Sequence, residues 1–329
     1  MKMTADEYKI SVLIPAYNAE PYISEALNSI LSQSHGNFEI LIADDCSTDS
    51  TKNTIDSFQD QRIQRYHNPK NIGKTATVNQ LFKRATGDLV TIHDADDIST
   101  PNRFSLQVRA FHNNPMLGMC GTSFVSINAA GNEIIETVSM SDDYQSILQN
   151  IDACSQFHGP TMMIRKSILD ELGEIYRPYF ENNYEDVDLA RRIVDKHLSF
   201  NVPAILYKYR ILTTSLCRQN VNIRNRNLRH IVSFLADERK ARGTDSLMEN
   251  RADVVDHHFY QITAKYRSDP ALIHRQAAAY FMCWKLYPRA ISESWLAVKR
   301  RPFALENFRT LQYCIRKFAL EIVNPKSGA

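Results

Sequence analysis

The stretch "LVTIHDADDIST", Leu89 to Thr100, decides the fold. Leu89-Val90-Thr91-Ile92 is a short apolar run of the kind that forms a strand buried on both faces of a parallel sheet. It stops at three aspartates within four positions, Asp94, Asp96 and Asp97. Like charges repel, so crowding them at a strand end needs a cause. Asp96 and Asp97 could cap the helix that Thr100 and Pro101 open, since acidic residues favour helix N-termini. A cap accounts for one carboxylate, not three. A phosphatase-type Asp-x-Asp nucleophile normally follows the first strand of its fold, and this pair follows the fourth. A divalent cation takes oxygen ligands, usually one or two carboxylates plus the oxygens of a substrate diphosphate. The cation accounts best for the cluster.

Working outward, "ISVLIPAYN" (10–18), "FEILIADD" (38–45) and "RIQRYH" (62–67) read as further strands, the second also ending in aspartates. Between them, "PYISEALNSILSQS", "STDSTKNTIDSF" and "TATVNQLFKRAT" carry helical spacing and N-cap residues. "PNRFSLQVRAFHNN" follows as a fourth helix. Strand and helix alternate, which predicts an α/β doubly wound sheet. Ligands of such sheets bind beyond the carboxyl ends of the strands, where the aspartates stand. After Pro115 the pattern changes: "GMCGTSFVSINAAGNEIIETV" reads as a hairpin, "TMMIRKSILDELG" as a strand edge and short helix, "EDVDLARRIVDKH" as a helix with an acidic first turn, and "FNVPAILYKYRI" as strand.

The chain has 329 residues, 43% hydrophobic and 23% charged, which suits one large domain plus a smaller one. Residues 1–218 carry 20 Lys and Arg against 27 Asp and Glu, a net −7; residues 219–329 carry 19 against 10, a net +9. The first part is expected to be the catalytic domain and the second a mainly helical basic region. The six cysteines form no Cys-x-x-Cys pair, against a zinc knuckle. The polar start "MKMTADEYK" and scattered thiols lead us to expect a cytoplasmic protein. No apolar stretch reaches the ~18 residues of a spanning helix.

From about Ile10 to Arg218 the chain resembles family 2 glycosyltransferases, the inverting, nucleotide-sugar-dependent group with the GT-A fold. The segments that carry the resemblance are "SVLIPAYNAEPYISEALNSILSQS", "FEILIADDCSTDST", "NIGKTATVNQLFKRATGDLVTIHDADD", "HGPTMMIRKSILDELG", "FENNYEDVDLARRI" and "LYKYRILTTSLCR". The resemblance implies a Rossmann-like, mostly parallel central sheet and a set of roles. Pro15, Ala16 and Tyr17 would line the base pocket, Asp45 would bond base or ribose with Asp44 beside it, and Lys74 would lie near the nucleotide. Asp94-Ala95-Asp96 would be the pair at ribose and metal (Mn2+ or Mg2+), with Asp97 helping to hold the ion. Asp186, after Glu185, would be the catalytic base; the bland reading of both is an acidic first helical turn. His158-Gly159 would meet donor sugar or acceptor, or form a simple turn. Tyr184 would stack on a sugar or pack. Many relatives carry a histidine ligand where Leu212 stands here, which puts a third protein ligand in doubt; Arg210 or Arg218 could reach a phosphate instead.

The implied activity is transfer of a sugar from a nucleotide-diphosphate sugar, UDP-sugar first, to a glycan or lipid-linked glycan of a bacterial surface polysaccharide. A non-catalytic nucleotide-sugar binder and a nucleotide-sugar hydrolase are the alternatives. The tail "AVKRRPFALENFRTLQYCIRKFALEIV" reads either as an amphipathic helix on the inner face of the plasma membrane, or as one packed on the catalytic domain or a second copy in a homodimer. No nucleic-acid motif is present.

Overall fold

The computed structural model describes residues 4–212 and 221–323. The chain divides into two compact units, Met1–Ser215 and Leu216–Ala329.

In the first unit the alternation is β1 (Ile10–Ala16), α1 (Ile23–Leu31), β2 (Phe38–Asp44), α2 (Thr51–Ser57), β3 (Ile63–His67), α3 (Lys74–Phe82), β4 (Leu89–Ile92), β5 (Ile98–Ser99) and α4 (Arg103–Asn113). Then come β6 (Leu117–Ile127), β7 (Glu133–Val138), α5 (Tyr144–Asn150), β8 (Met163–Arg165), α6 (Lys166–Leu172), α7 (Glu185–Val194) and β9 (Leu198–Arg210). They build one sheet in the order β3-β2-β1-β4-β8-β6-β9-β5, with β7 on β6. Pairing is parallel across β3-β2-β1-β4 and between β6 and β9. β8 enters antiparallel between β4 and β6, and β5 and β7 are antiparallel to β9 and β6.

Both faces of the sheet are covered because β1, β2 and β4 carry apolar side chains on both faces. Ile10, Val12, Ile14, Ile40 and Ile42 pack with Ile23, Leu27 and Ile30 of α1 and Phe104, Val108 and Phe111 of α4. Leu13, Leu41, Val90 and Ile92 pack the other way, with Val78 and Leu81 of α3, Leu169 of α6 and Leu189 and Ile193 of α7. Parallel register sets Ala16 beside Asp44 and Leu13 beside Ile92. The loops after β1, β2 and β4 therefore leave from one edge, the carboxyl end where α/β sheets bind ligands.

The second unit is helical: Ile223–Arg242, Ala252–Ile262, Ala264–Ser268, Leu272–Cys283, Tyr287–Arg300 and Leu305–Val323. Its last three helices pack through Ala277, Ala278, Phe281, Ala290 and Cys314. Among the described residues no helix is long and apolar enough to cross a membrane.

Candidate active site

The loops after β1 and β2 are knitted together. Asp45 N–H donates to Ala16 O at 2.7 Å, Thr48 N–H to Asn18 Oδ1 at 2.8 Å, and Ala19 N–H to Thr51 Oγ1 at 2.8 Å. Pro15 and Ala16 end β1, and the Tyr17 ring stands 50% exposed beyond them. Asp45 is buried, and its carboxylate faces a neighbouring loop. Oδ1 accepts from Asn68 Nδ2 (2.8 Å) and Ile72 N–H (3.0 Å), and Oδ2 from Gly73 N–H (2.8 Å). Asp44 accepts from Ser47 N–H at 3.3 Å. Gly73 is in the left-handed region at φ +85° and turns the chain into α3, whose first residue is Lys74. Asp45 thus fixes the loop that aims Lys74.

Lys74 Nζ donates to Asp94 Oδ1 at 2.6 Å. Burial disfavours both charges, but mutual attraction outweighs it: the Lys74 ammonium titrates well above its ordinary range and the Asp94 carboxyl below its own. Along the turn after β4, burial alternates. Asp94 and Asp96 are partly exposed, whereas Ala95 and Asp97 are buried. Burial, then Asp94, pushes Asp96 up to about 6. Asp97 points inward, where Oδ1 accepts Arg210 N–H at 2.7 Å. Burial, then Asp96 and Asp94, drives its pKa well above the carboxylate range. The structure therefore brings Asp94 and Asp96 to the rim and turns Ala95 and Asp97 into the core.

His93 is sealed, its Nδ1 against Asp94 O (2.8 Å) and Nε2 against Ser99 Oγ (3.1 Å), and burial lowers it to about 3. It orients the turn as a neutral ring. The Arg210 guanidinium bonds Asp96 O, Asn128 O, Ala129 O and Glu25, so it staples the same turn. Arg218 lies outside the described residues. The Leu212 side chain brings no ligating atom. Among the described residues no three His, Cys, Asp or Glu side chains group so as to hold a metal ion.

Glu185 and Asp186 open α7 after Tyr184, itself left-handed at φ +65°. The helix is fixed from below by buried Asp188, paired with Arg192 at 3.0 Å and Arg177 at 3.5 Å. Asp186 Oδ1 accepts Val187 N–H at 2.8 Å. Burial raises Asp186 above its ordinary range against the pull of Lys74; burial and Asp186 raise Glu185 to about 7. The segment before α7 is tied to α3 as well: Thr75 N–H donates to Asn182 Oδ1 at 3.1 Å, and Thr75 Oγ1 to Glu181 O. Of the non-glycine residues with left-handed backbone among those described, Asn18, Cys46, Glu181 and Tyr184 lie in these loops. Such conformations cluster at sites that need a fixed, unusual geometry.

His158 stacks on Phe124 (centroids 4.1 Å apart) and meets Tyr209 edge-on at 4.8 Å. Burial lowers it to about 4 despite the attraction of Asp94, so the ring is neutral at pH 7. Its Nε2 is buried with no hydrogen-bond partner among the described residues. Next to it, Gly159 lies against Asp186: a Cβ there would come within 2.6 Å of Asp186 Oδ2 and 2.8 Å of its Cβ. Gly159→Ala therefore has to displace Asp186. We expect kcat to fall roughly 100-fold, the cost of about 1 Å of misplacement, with donor Kd little changed. Steady-state kinetics beside calorimetric titration of donor checks this, and an alanine enzyme of near-native kcat would refute the close packing.

Sequence reasoning missed Arg103. It is fully buried on α4, and its guanidinium donates to Gln107 Oε1 (3.1 Å), Ser99 Oγ (3.0 Å), Thr91 Oγ1 (2.7 Å) and Pro160 O (2.7 Å). It thus joins α4, β4 and the turn carrying Gly159. The cavity of about 720 Å³ in the second unit, lined by Val221, Phe259, Tyr266 and Ile273 among others, contains none of these groups.

A family model described as Glycosyl transferase family 2 matches residues 11–173. The chain is 29% identical over 206 residues to a putative glycosyltransferase, EpsE, of Bacillus subtilis, covering 61% of this chain and 73% of that one. It is 34% identical over 116 residues to the UDP-Glc:alpha-D-GlcNAc-diphosphoundecaprenol beta-1,3-glucosyltransferase WfgD of Escherichia coli, covering 35% of this chain and 46% of WfgD, under half its length. Among solved structures, S. aureus TarS 1–349 in complex with UDP-GlcNAc superposes with a TM-score of 0.59 at 19% identity, covering 94% of this chain and 92% of that one. At that identity the likeness is one of fold.

Proposed function

The chain belongs to glycosyl transferase family 2, and from that premise we propose that it moves one sugar, with inversion, from a UDP-sugar to a hydroxyl of a glycan or lipid-linked glycan in bacterial surface polysaccharide synthesis. The observation that carries the reading is the meeting of Lys74, Asp94, His158, Glu185 and Asp186 at one sheet edge, close enough for their charges to perturb one another.

Asp186 is the base that takes the acceptor proton. Its raised pKa keeps the carboxylate basic, which favours proton abstraction near neutral pH. Pro15, Ala16 and the exposed Tyr17 ring receive the base. Asp45 accepts three hydrogen bonds from the loop before α3, so a base N–H has to use its remaining acceptor capacity. Lys74 brings positive charge to the diphosphate. Neutral His158 offers Nε2 to a sugar hydroxyl.

Asp94 and Asp96 fit a divalent ion as a two-carboxylate set that substrate oxygens complete, the habit of Mg2+ and Mn2+. Asp96 is the better fit, because a nearby cation relieves the burial and repulsion that raise it. When bound, the ion would act as a Lewis acid on the leaving diphosphate. Asp97, turned inward, would support the turn rather than ligate.

A thermal-shift series tests the reading. A ligand at 100 times its Kd stabilises by about 2.7 kcal/mol. UDP with Mn2+ should raise Tm clearly above either alone, and above GDP with Mn2+. Equal responses to UDP and GDP would remove the uridine assignment, and no response to any nucleotide would remove the donor site.

A further inference from the structure

We propose that the turn joining the last two helices of the second unit is a membrane anchor that docks on an anionic lipid surface. Residues 295–309 read "WLAVKRRPFALENFR" and carry four cations, Lys299, Arg300, Arg301 and Arg309, against one carboxylate, Glu306. Glu306 is itself paired with Arg275 at 3.1 Å, and of the cations Arg301 is paired with Asp269 at 3.3 Å. The same stretch holds its apolar side chains out in water: Phe303 is 97% exposed, Leu305 72%, Trp295 50% and Phe308 45%.

The turn is held in shape. Asn307 is fully buried, and its Nδ2 donates to Ala297 O and Arg301 O, both at 3.0 Å, while its Oδ1 accepts from Arg275 Nη1 at 2.7 Å. Ser294 Oγ meets Cys314 Sγ at 3.2 Å between the two helices. Phe303 therefore projects from a fixed turn instead of folding back to cover itself. A turn that exposes Phe303, Leu305 and Phe308 among Lys299, Arg300, Arg301 and Arg309 in sequence matches an interface of acyl chains below anionic headgroups. A second copy of this chain is the poorer occupant, because each copy would bring the same four cations to the seam and like charges repel.

The inference goes beyond the transferase reading and does not depend on it, since its test contains no donor, acceptor or turnover. The full chain is sedimented with vesicles of phosphatidylcholine alone and of equal parts phosphatidylcholine and phosphatidylglycerol, at about 0.15 M salt. Binding is expected to the second only. Lys299→Gln with Arg300→Gln should weaken it roughly 30-fold, at about fivefold per cation. Phe303→Ala should weaken it roughly tenfold. Both variants alter exposed side chains, and circular dichroism should show native helix content. Equal binding to both vesicle types, or unchanged binding by the variants, overturns the proposal. So does absence of vesicle binding alongside a dimer, by light scattering, that Phe303→Ala dissociates.

Discussion

Asp186→Asn is expected to lower kcat for sugar transfer by roughly 10²–10⁴-fold, the usual contribution of a positioned general base, while donor affinity stays within about twofold. The amide keeps the shape of the carboxylate, so Gly159 and the start of α7 need not move. What it loses is the ability to take a proton. The wild-type profile gives a second signature. Burial raises both Glu185, to about 7, and Asp186, and the two repel each other. A base works ionised, so activity should fall as pH drops through the neighbourhood of 7, and that limb belongs to the pair, not to one residue. The asparagine variant should lack it. Undiminished transfer by Asp186→Asn would sink the assignment. Release of free sugar by wild type without acceptor would make the protein a hydrolase, and donor binding with no turnover a binder.

Arg103→Leu should destabilise the first unit by roughly 3–5 kcal/mol, the upper part of single-substitution effects, reached when a buried hydrogen-bond network loses its shared donor. Four acceptors depend on this guanidinium, all of them neutral: Gln107 Oε1, Ser99 Oγ, Thr91 Oγ1 and Pro160 O. Leucine leaves them in the core without donors, at about 1–3 kcal/mol for each that finds no substitute. Burial lowers the Arg103 pKa to about 10, which leaves it charged at pH 7. Its cation is stabilised in part by the Tyr207 ring, 5.0 Å from the guanidinium carbon. Arg103→Lys should recover only part of the loss, because an ammonium cannot span the same fork. Urea unfolding followed by circular dichroism measures both variants. A loss below about 1 kcal/mol for leucine would mean that water or a rearranged Gln107 replaces the donor.

How much of this was legible in the sequence follows from how local each cause is. Strands β1, β2 and β4 were readable because each is an apolar run buried on both faces, whereas β3, IQRYH, is half-exposed and was marked chiefly by its place in the alternation; the ends of all four fell within a residue or two of expectation. The two-residue β5 and the parallel pairing of β6 with β9 were not, since no local pattern encodes a partner that far along the chain. Asp94 and Asp96 could be read as neighbours on one side because two-residue spacing in an extended turn repeats a direction. The same alternation sends Asp97 inward, but the N–H that receives it belongs to Arg210, 113 residues on. Gly159 read as either a turn or a site residue, and its cause, the side chain of Asp186, is visible only in three dimensions. Arg103 sat in "PNRFSLQVRA" looking like any helix-surface charge.

The left-handed residues around the mouth carry a consequence for anyone engineering this protein. Cys46, Glu181 and Tyr184 hold a backbone shape that costs a side-chain-bearing residue about 1–2 kcal/mol relative to glycine. Heat tolerance is therefore available at those positions by relieving the kink, at the risk of slackening the loops that aim Lys74 and Asp186. Thermal robustness and turnover would then be traded against each other at the same few torsion angles.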